Sequence, residues 1–495
     1  MSESAAPLRT ALVSGLLWAA IGVVMLYLVA PDPWPVDGSR VIELLASLRV
    51  LDRGGPALLG YRPGTHVPYA IAYAEDQGVY LILPVLCHWL GASNPVAVLR
   101  WLWLAAWAST LFSSALVFRL LLRSTWASLL VPPALLVCIV SFGFGEIYWV
   151  TAWVAVTFMP PLVLLMRERP RYAWLALPSI ALAAGVMTSI RADSGLGTAI
   201  VAAAVATFVG WRWPLRLAVL IAIAFAYLAP NSIVLPAVRE HRDHRIGVDL
   251  SASEPTSHPF WHSLYIGLGY EPNRYDIHYL DSYGGAAVHE LDPAAEFKSP
   301  AYERALHHQV DALIEHDPSF VVTAEAQKSV VELFLAAPYI LLLALLLPGA
   351  LRADGRARLR APELALFIPP LAIGVLPALF AVPYRDYELS LLGPLGVLDL
   401  LAIGSAAAQA QEQWPRAALA AAGFAARARL VRRGLLDAWP ARQTKRALLA
   451  AMIVVVPVSV FARHLEVEHS SWERNVSSYP TVKLAAARED RSART

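Results

Sequence analysis

The stretch VLRWLWLAAWASTLFSSALVFRLLLRSTWASLLVPPALLVCIVSFG (98–143) contains only three charged residues, Arg100, Arg119 and Arg123. Arg119 and Arg123 separate a pair of apolar runs, each near the length of about 20 residues that crosses roughly 30 Å of hydrocarbon. The segment therefore reads as two membrane-spanning helices joined by a short basic turn. The same scan carried outward finds eleven runs, near 11–30, 98–122, 124–143, 147–166, 173–190, 195–211, 215–235, 329–350, 363–382, 389–406 and 446–463. The chain is thus expected to be an all-α polytopic integral membrane protein with 11 transmembrane helices.

Composition agrees. Of 495 residues 57% are hydrophobic and 16% charged, and mean hydropathy is +0.51, which excludes a disordered or collagen-like chain. Two cysteines, Cys87 and Cys138, both in apolar stretches, make no disulfide scaffold and read as small core residues. A net charge of +2 argues against nucleic acid as a partner. The first run follows Arg9, is longer than a signal-peptide core of about 7–15 residues and leads into PDPWP without a small-x-small site, so an uncleaved anchor is expected.

Charge placement sets the orientation. With the N-terminus in the cytoplasm, twenty basic residues fall on the cytoplasmic side and seven (Arg40, Arg49, Arg53, Arg62, Arg100, Arg191 and Arg385) in short segments opposite, as the positive-inside rule requires. The Arg- and Ala-rich bias, with only four lysines, resembles a GC-rich bacterial genome and places the chain in a bacterial cytoplasmic membrane. The apolar stretch GVYLILPVLCHWLGA (78–92), interrupted by Pro84 and His88, fits a re-entrant or interfacial helix better than a span.

The domain plan follows from loop lengths. Residues 1–236 form an N-terminal membrane module with a long first external segment (31–97), and 237–328 a small extracytoplasmic domain between the seventh and eighth spans. Residues 329–463 form a C-terminal membrane module whose basic linker, 407–446, reads as an amphipathic segment on anionic lipid; 464–495 is a polar tail.

Chemistry concentrates outside the membrane. PDPWPVDGSR (31–40) and AYAEDQGVYLILP (72–84) bring Asp37, Glu75 and Asp76 near the outer surface. A carboxylate partly desolvated there can serve as a general base; Asp76 is equally read as the N-cap of the 78–92 helix. Arg191 in SIRADSG (189–195) and Arg385 in VPYRDYE (382–388) are the basic residues of otherwise short external turns. Arginine suits phosphate by its bidentate geometry, while the adjacent Asp193 and Asp386 offer each a local ion pair instead. In SHPFWHSLYIGLGYEPNRYDIHYLDSYGG (257–285) tyrosines and Trp261 interleave with His262, Asp281 and other polar residues. That mixture suits either a sugar site or an aromatic belt at the headgroups. Trp261, His262, Asp281 and, in the later turn, Tyr387 are the substrate-binding candidates. His241-x-x-His244 and His258-x-x-x-His262 have metal-compatible spacing but no third ligand, so no metal residue is assigned.

The order of one span, a long external segment running into an interfacial helix, and an arginine at the head of the second span (LPVLCHWLGASNPVAVLRWL, 83–102) resembles the GT-C superfamily of membrane glycosyltransferases. The likeness is nearest to the protein O-mannosyltransferase and aminoarabinose-transferase-like branch, and covers roughly residues 1–235 by architecture. It implies inverting transfer of a sugar from a polyprenyl-phosphate donor to a glycan, lipid or protein acceptor on the outer face. It also implies that an aspartate of the first external loop is the base, and it leaves a divalent metal open as cofactor. Relatives usually carry that acid in an Asp-Glu pair before an aromatic; here the order is Glu75-Asp76 with Tyr80 following, so Asp76, then Asp37, then Glu75 are the positions for the role. Two other readings share the architecture: an O-antigen-type polymerase or ligase, resting on Arg242, Arg245 and His262, and a transporter or flippase for a lipid-linked sugar.

Overall fold

The computed structural model describes residues 5–29, 39–62, 64–71, 76–143, 147–192, 194–250, 260–295, 299–383 and 385–425; of the side chains of 5–7, 29, 39, 385, 386 and 415–425 nothing is described. It is 80% helical. Helices α1 (Ala5–Val29) and α2 (Ser39–Asp52) precede a small hairpin of β1 (Leu59–Tyr61) and β2 (Pro68–Ala70), antiparallel with Gly60 opposite Tyr69. Then follow α3 (Gln77–Leu90), α4 (Pro95–Leu122), α5 (Thr125–Phe142), α6 (Trp149–Glu168), α7 (Ala173–Ile190), α8 (Leu196–Phe208), α9 (Trp213–Ala229) and α10 (Leu235–Ile246). The remainder comprises α11 (Phe260–Gly267), α12 (Asp281–Leu291), α13 (Pro300–His316), α14 (Pro318–Arg352), α15 (Ala361–Ala365), α16 (Ile368–Phe380) and α17 (Arg385–Ala425).

Among the described residues nine helical segments are long and apolar enough to cross a membrane, so the chain is a multi-pass membrane protein built of helices. They correspond to nine of the eleven expected spans. The sixth, expected at 195–211, forms α8, whose 13 residues reach only about 20 Å; Gly210 and the turn into Pro214 end it while the surrounding residues stay apolar. Hydropathy counts those residues; helix geometry does not. The eleventh, 446–463, lies outside the described residues. The 78–92 stretch forms α3, whose 14 residues reach about 21 Å, short of a span.

Local sequence explains where helices start and stop. Asn94 accepts hydrogen bonds from Val96 and Ala97 amides before Pro95 opens α4, and Ser124 accepts from Ala127 to cap α5. A single π turn, Pro230–Val234, links α9 to α10 and lets one continuous helix run from Trp213 to Ile246 around two prolines.

The described residues divide between two compact units. The first holds those of Met1–Ser257, Tyr339–Gly374 and the helix from Leu389; the second holds His258–Pro338 and Val375–Glu388. In the first, Trp103, Trp107, Phe118 and Phe142 are fully buried between helices while Leu16, Leu28, Ile221 and Phe225 point outward, the inside-out distribution of a bundle solvated by lipid. One end of this bundle is tied by Arg167, which grips Glu363 through Nε (2.5 Å) and Nη2 (2.6 Å) and donates to the Arg356 and Arg358 carbonyls. The other end carries the hairpin and the start of α3. In the second unit Tyr265, Ile266, Leu268, Tyr302, Leu306 and Val310 form a separate core.

Candidate functional site

Asp76 stands at the N-cap position of α3, and its carbonyl accepts the Val79 amide. Its carboxylate makes no capping hydrogen bond to the helix. It turns instead to two guanidiniums: Arg40 of α2 donates to Oδ2, and Arg191 Nη1, at the C-terminus of α7, lies 3.6 Å from Oδ1. Asp76 and Arg191 are both buried, at 1% and 3% exposure. A carboxylate withdrawn from water to this degree is stable only when paired, and two arginines supply the pairing.

The neighbouring residues extend the cluster. Arg191 lies over the Tyr148 ring, 4.2 Å from its centre, a cation–π contact that fixes the guanidinium plane. Arg239 of α10 donates to Gln77 Oε1, bringing a third guanidinium beside the start of α3. Close packing makes this arrangement possible: a Cβ on Gly78 would lie 2.2 Å from Ser189 Oγ, so only glycine lets the first turn of α3 rest on the last turn of α7. On the flank, Tyr69 of β2 donates to Glu43 of α2 at 3.0 Å. Burial pushes the Glu43 carboxyl above its ordinary range, and burial with the Glu43 charge pushes the Tyr69 phenol up to about 12.

The π turn aims α10 at this end. Arg242, fully buried, pairs with Asp243 and donates to the Leu58 carbonyl (3.2 Å), and Arg245 donates to the Gly54 carbonyl (2.9 Å). Both arginines of the polymerase reading therefore serve backbone carbonyls of the segment around the hairpin. Arg100 donates to the Tyr27 carbonyl and lies over the Tyr27 ring.

The candidates of the second unit gather around His262. This ring is buried, with Nδ1 2.7 Å from Tyr302 OH and Nε2 3.1 Å from Asp281 Oδ1. Glu303 accepts from the Trp261 and His262 amides at 2.9 and 3.1 Å, capping α11, and Trp261 stacks on His307 with ring centres 3.8 Å apart. Tyr279 donates to Tyr387 at 3.2 Å. Burial, with the Asp281 and Glu303 charges, raises the Tyr302 phenol well above its usual range. His262 thus lies inside a packed network that ties α11, α12 and α13 together, and Asp281, 68% exposed along its side chain, is the member that faces solvent.

Asp76 and Arg191, singled out separately in the sequence, come together in the first unit; His262 and Asp281 come together in the second. Asp37, Glu75, Asp193 and His258 lie outside the described residues, as do the side chains of Arg385 and Asp386. Arg40, Gln77, Tyr148 and Arg239 join the cluster without having been singled out. Among the described residues no group of three or more His, Cys, Asp or Glu is placed to hold a metal ion. No family model matches the chain, and no characterised protein or solved structure matches it.

Proposed function

We propose that this chain is an integral-membrane glycosyltransferase of the GT-C kind, moving a sugar from a polyprenyl-phosphate donor to an acceptor at the outer face of a bacterial cytoplasmic membrane. In the proposed eleven-helix topology the N-terminus and the basic turns lie in the cytoplasm. The observation that carries this reading is the buried Asp76 clasped by Arg40 and Arg191.

Without donor, the carboxylate pairs with both guanidiniums. A donor phosphodiester, singly charged like the carboxylate, competes for the same donors through its two free oxygens, takes the arginines and releases Asp76 from them. Asp76 then accepts the proton of the acceptor hydroxyl as its oxygen bonds to the anomeric carbon. The bond from that carbon to the phosphate oxygen breaks on the opposite face, inverting the centre. The polyprenyl phosphate leaves with its new charge on Arg40 and Arg191, and Arg239 adds positive potential beside them.

The test is release of polyprenyl phosphate from radiolabelled polyprenyl-phosphate sugars by detergent-purified protein with an envelope acceptor. Wild type turns the donor over and Asp76→Asn does not; equal turnover by both overturns the assignment of Asp76. A second reading, a transporter for a lipid-linked sugar, draws support from Asp399, which is buried within the last described span and whose carboxylate oxygens accept no hydrogen bond from the described residues. Movement of labelled lipid between leaflets without chemical change distinguishes it.

A further inference from the structure

Helix α14 is longer than a bilayer's hydrocarbon is thick. Its 35 residues extend about 52 Å, whereas the uncharged run 333–351 alone covers nearly all of the roughly 30 Å of hydrocarbon. Residues 318–332, which carry Glu325, Lys328 and Glu332, therefore project about 22 Å beyond it. Lys328, completely buried, donates to the carbonyls of Leu379 and Ala381 and so holds the end of α16, itself the end of an apolar span, against this projecting part.

Between the projecting part of α14, α11, α13 and the end of α16 lies a cleft of about 380 Å³, entirely within the second compact unit. Its walls include Leu264 and Leu268 of α11, Val310 and Ile314 of α13, Val321 of α14 and Phe380 of α16. Only Glu325 and Ser329 add polar side chains to this lining, and both are engaged locally. Glu325 pairs with Lys328 at 2.6 Å, and the Ser329 hydroxyl donates to the Glu325 carbonyl. The cleft thus offers a ligand apolar contact and little hydrogen bonding.

An apolar wall of this kind needs no explanation within hydrocarbon, but here it stands beyond the uncharged run, where water would otherwise meet it. A route from the bilayer leads to it. Val322, Ala326, Val330 and Leu333 are all exposed and follow one another at helical spacing, beside the row of Val321, Glu325 and Ser329 that lines the cleft. This apolar stripe begins where the uncharged run begins, so a hydrocarbon chain reaches the cleft along it without crossing water. With a methylene group taken as about the size of a water molecule, ~30 Å³, the cleft holds about a dozen of them. That is most of one acyl chain and only a small part of a polyprenyl tail.

We propose that this cleft takes up one acyl chain of a membrane phospholipid whose other chain remains in the bilayer. The chain exchanges one apolar surrounding for another and loses little, while the cleft walls are withdrawn from water, so the covered walls supply the driving force. The inference does not depend on the glycosyltransferase reading.

The experiment uses full-length protein in vesicles containing phosphatidylglycerol with a photoactivatable diazirine near the end of one acyl chain, and locates the crosslinks by peptide mass spectrometry. Label is expected on Leu264, Val310 or Val321 in addition to exposed residues of the span such as Leu341 and Leu345. Ile314→Trp and Val321→Trp fill the cleft from partly exposed positions and lose the cleft label while the span label stays; Thr323→Trp, on the exposed side of α14, keeps both. Thermal unfolding shows that each variant folds, and the labelling needs no turnover, so its result is separate from that of the donor assay. Wild-type label confined to the span overturns the proposal, as does cleft label that survives both Trp variants. So does cleft label obtained from a diazirine-bearing polyprenyl phosphate but not from phosphatidylglycerol, because the occupant is then a lipid carrier.

Discussion

Asp76 and Glu388 are two carboxylates buried to nearly the same degree, at 1% and 0% exposure, in opposite surroundings. Asp76 meets two guanidiniums; among the described residues Glu388 meets no donor. The contrast teaches that burial alone does not define a site. A compensated carboxylate is a stable resting arrangement that a competing anion can open, whereas an uncompensated one attracts positive charge.

The largest expected effect tests that contrast directly. Asp76→Ala takes the Asp76 charge away from Arg40 and the buried Arg191, and breaking a buried pair from one side costs about 3–5 kcal/mol. Glu388→Met does the opposite, replacing a buried carboxyl that has no donor among the described residues by an apolar side chain of the same shape and raising stability by about 1–3 kcal/mol. Denaturant unfolding of the two variants beside wild type measures both. Changes of the same sign erase the distinction between the regions.

The next effect is functional and confined to the first unit. Arg191→Ala removes one guanidinium from the proposed phosphate site, and a hydrogen bond to a charged group is worth about 1.5–3 kcal/mol, so the donor KM rises roughly ten- to a hundredfold. The acceptor KM stays as it was. If both constants move together, Arg191 acts by holding Asp76 and Tyr148 in place and not on the donor.

How much of this was legible in the sequence differs between the regions for physical reasons. Nine spans could be read because about 20 apolar residues in a row have few alternatives to a transmembrane helix. The shortening of α8 could not, since apolar residues beyond a helix end add to hydropathy as readily as those within it. Asp76 and Arg191 stood out as an acid and a base near the same surface, but their meeting depends on how α3 packs on α7. Gly78, which permits that packing, carries no mark in the sequence to set it apart from other glycines. Arg40 and Arg239 resembled ordinary interface arginines, and nothing in PNSIV (230–234) announces the π turn that aims Arg239 at Gln77. Glu388 could have been found, because an acid at the head of an apolar run is rare enough to mark on its own.

A smaller effect separates packing from chemistry in the second unit. A Cβ on Gly284 would lie 2.9 Å from both His262 Nδ1 and Tyr302 OH. Gly284→Ala therefore forces the pair apart and destabilises by about 1–3 kcal/mol, measured by thermal unfolding. The turnover of the folded fraction is unchanged if His262 is a tie between helices.

The smallest expected change is at Asp281, and it decides whether the second unit takes part in recognition. Its carboxylate touches His262 Nε2 at 3.1 Å, yet the side chain is 68% exposed, so solvent screens the interaction. Asp281→Ala should cost less than about 1 kcal/mol of stability, because exposed pairs contribute little. A substrate hydroxyl bound by the same carboxylate loses a charge-assisted hydrogen bond instead, which raises the acceptor KM about tenfold or more. A variant with unaltered stability and raised acceptor KM makes Asp281 a recognition residue held in place by His262. Unaltered values of both leave His262, Tyr302 and Asp281 as the structural tie of α11, α12 and α13, and confine the chemistry to the first unit, where charge compensation marks it.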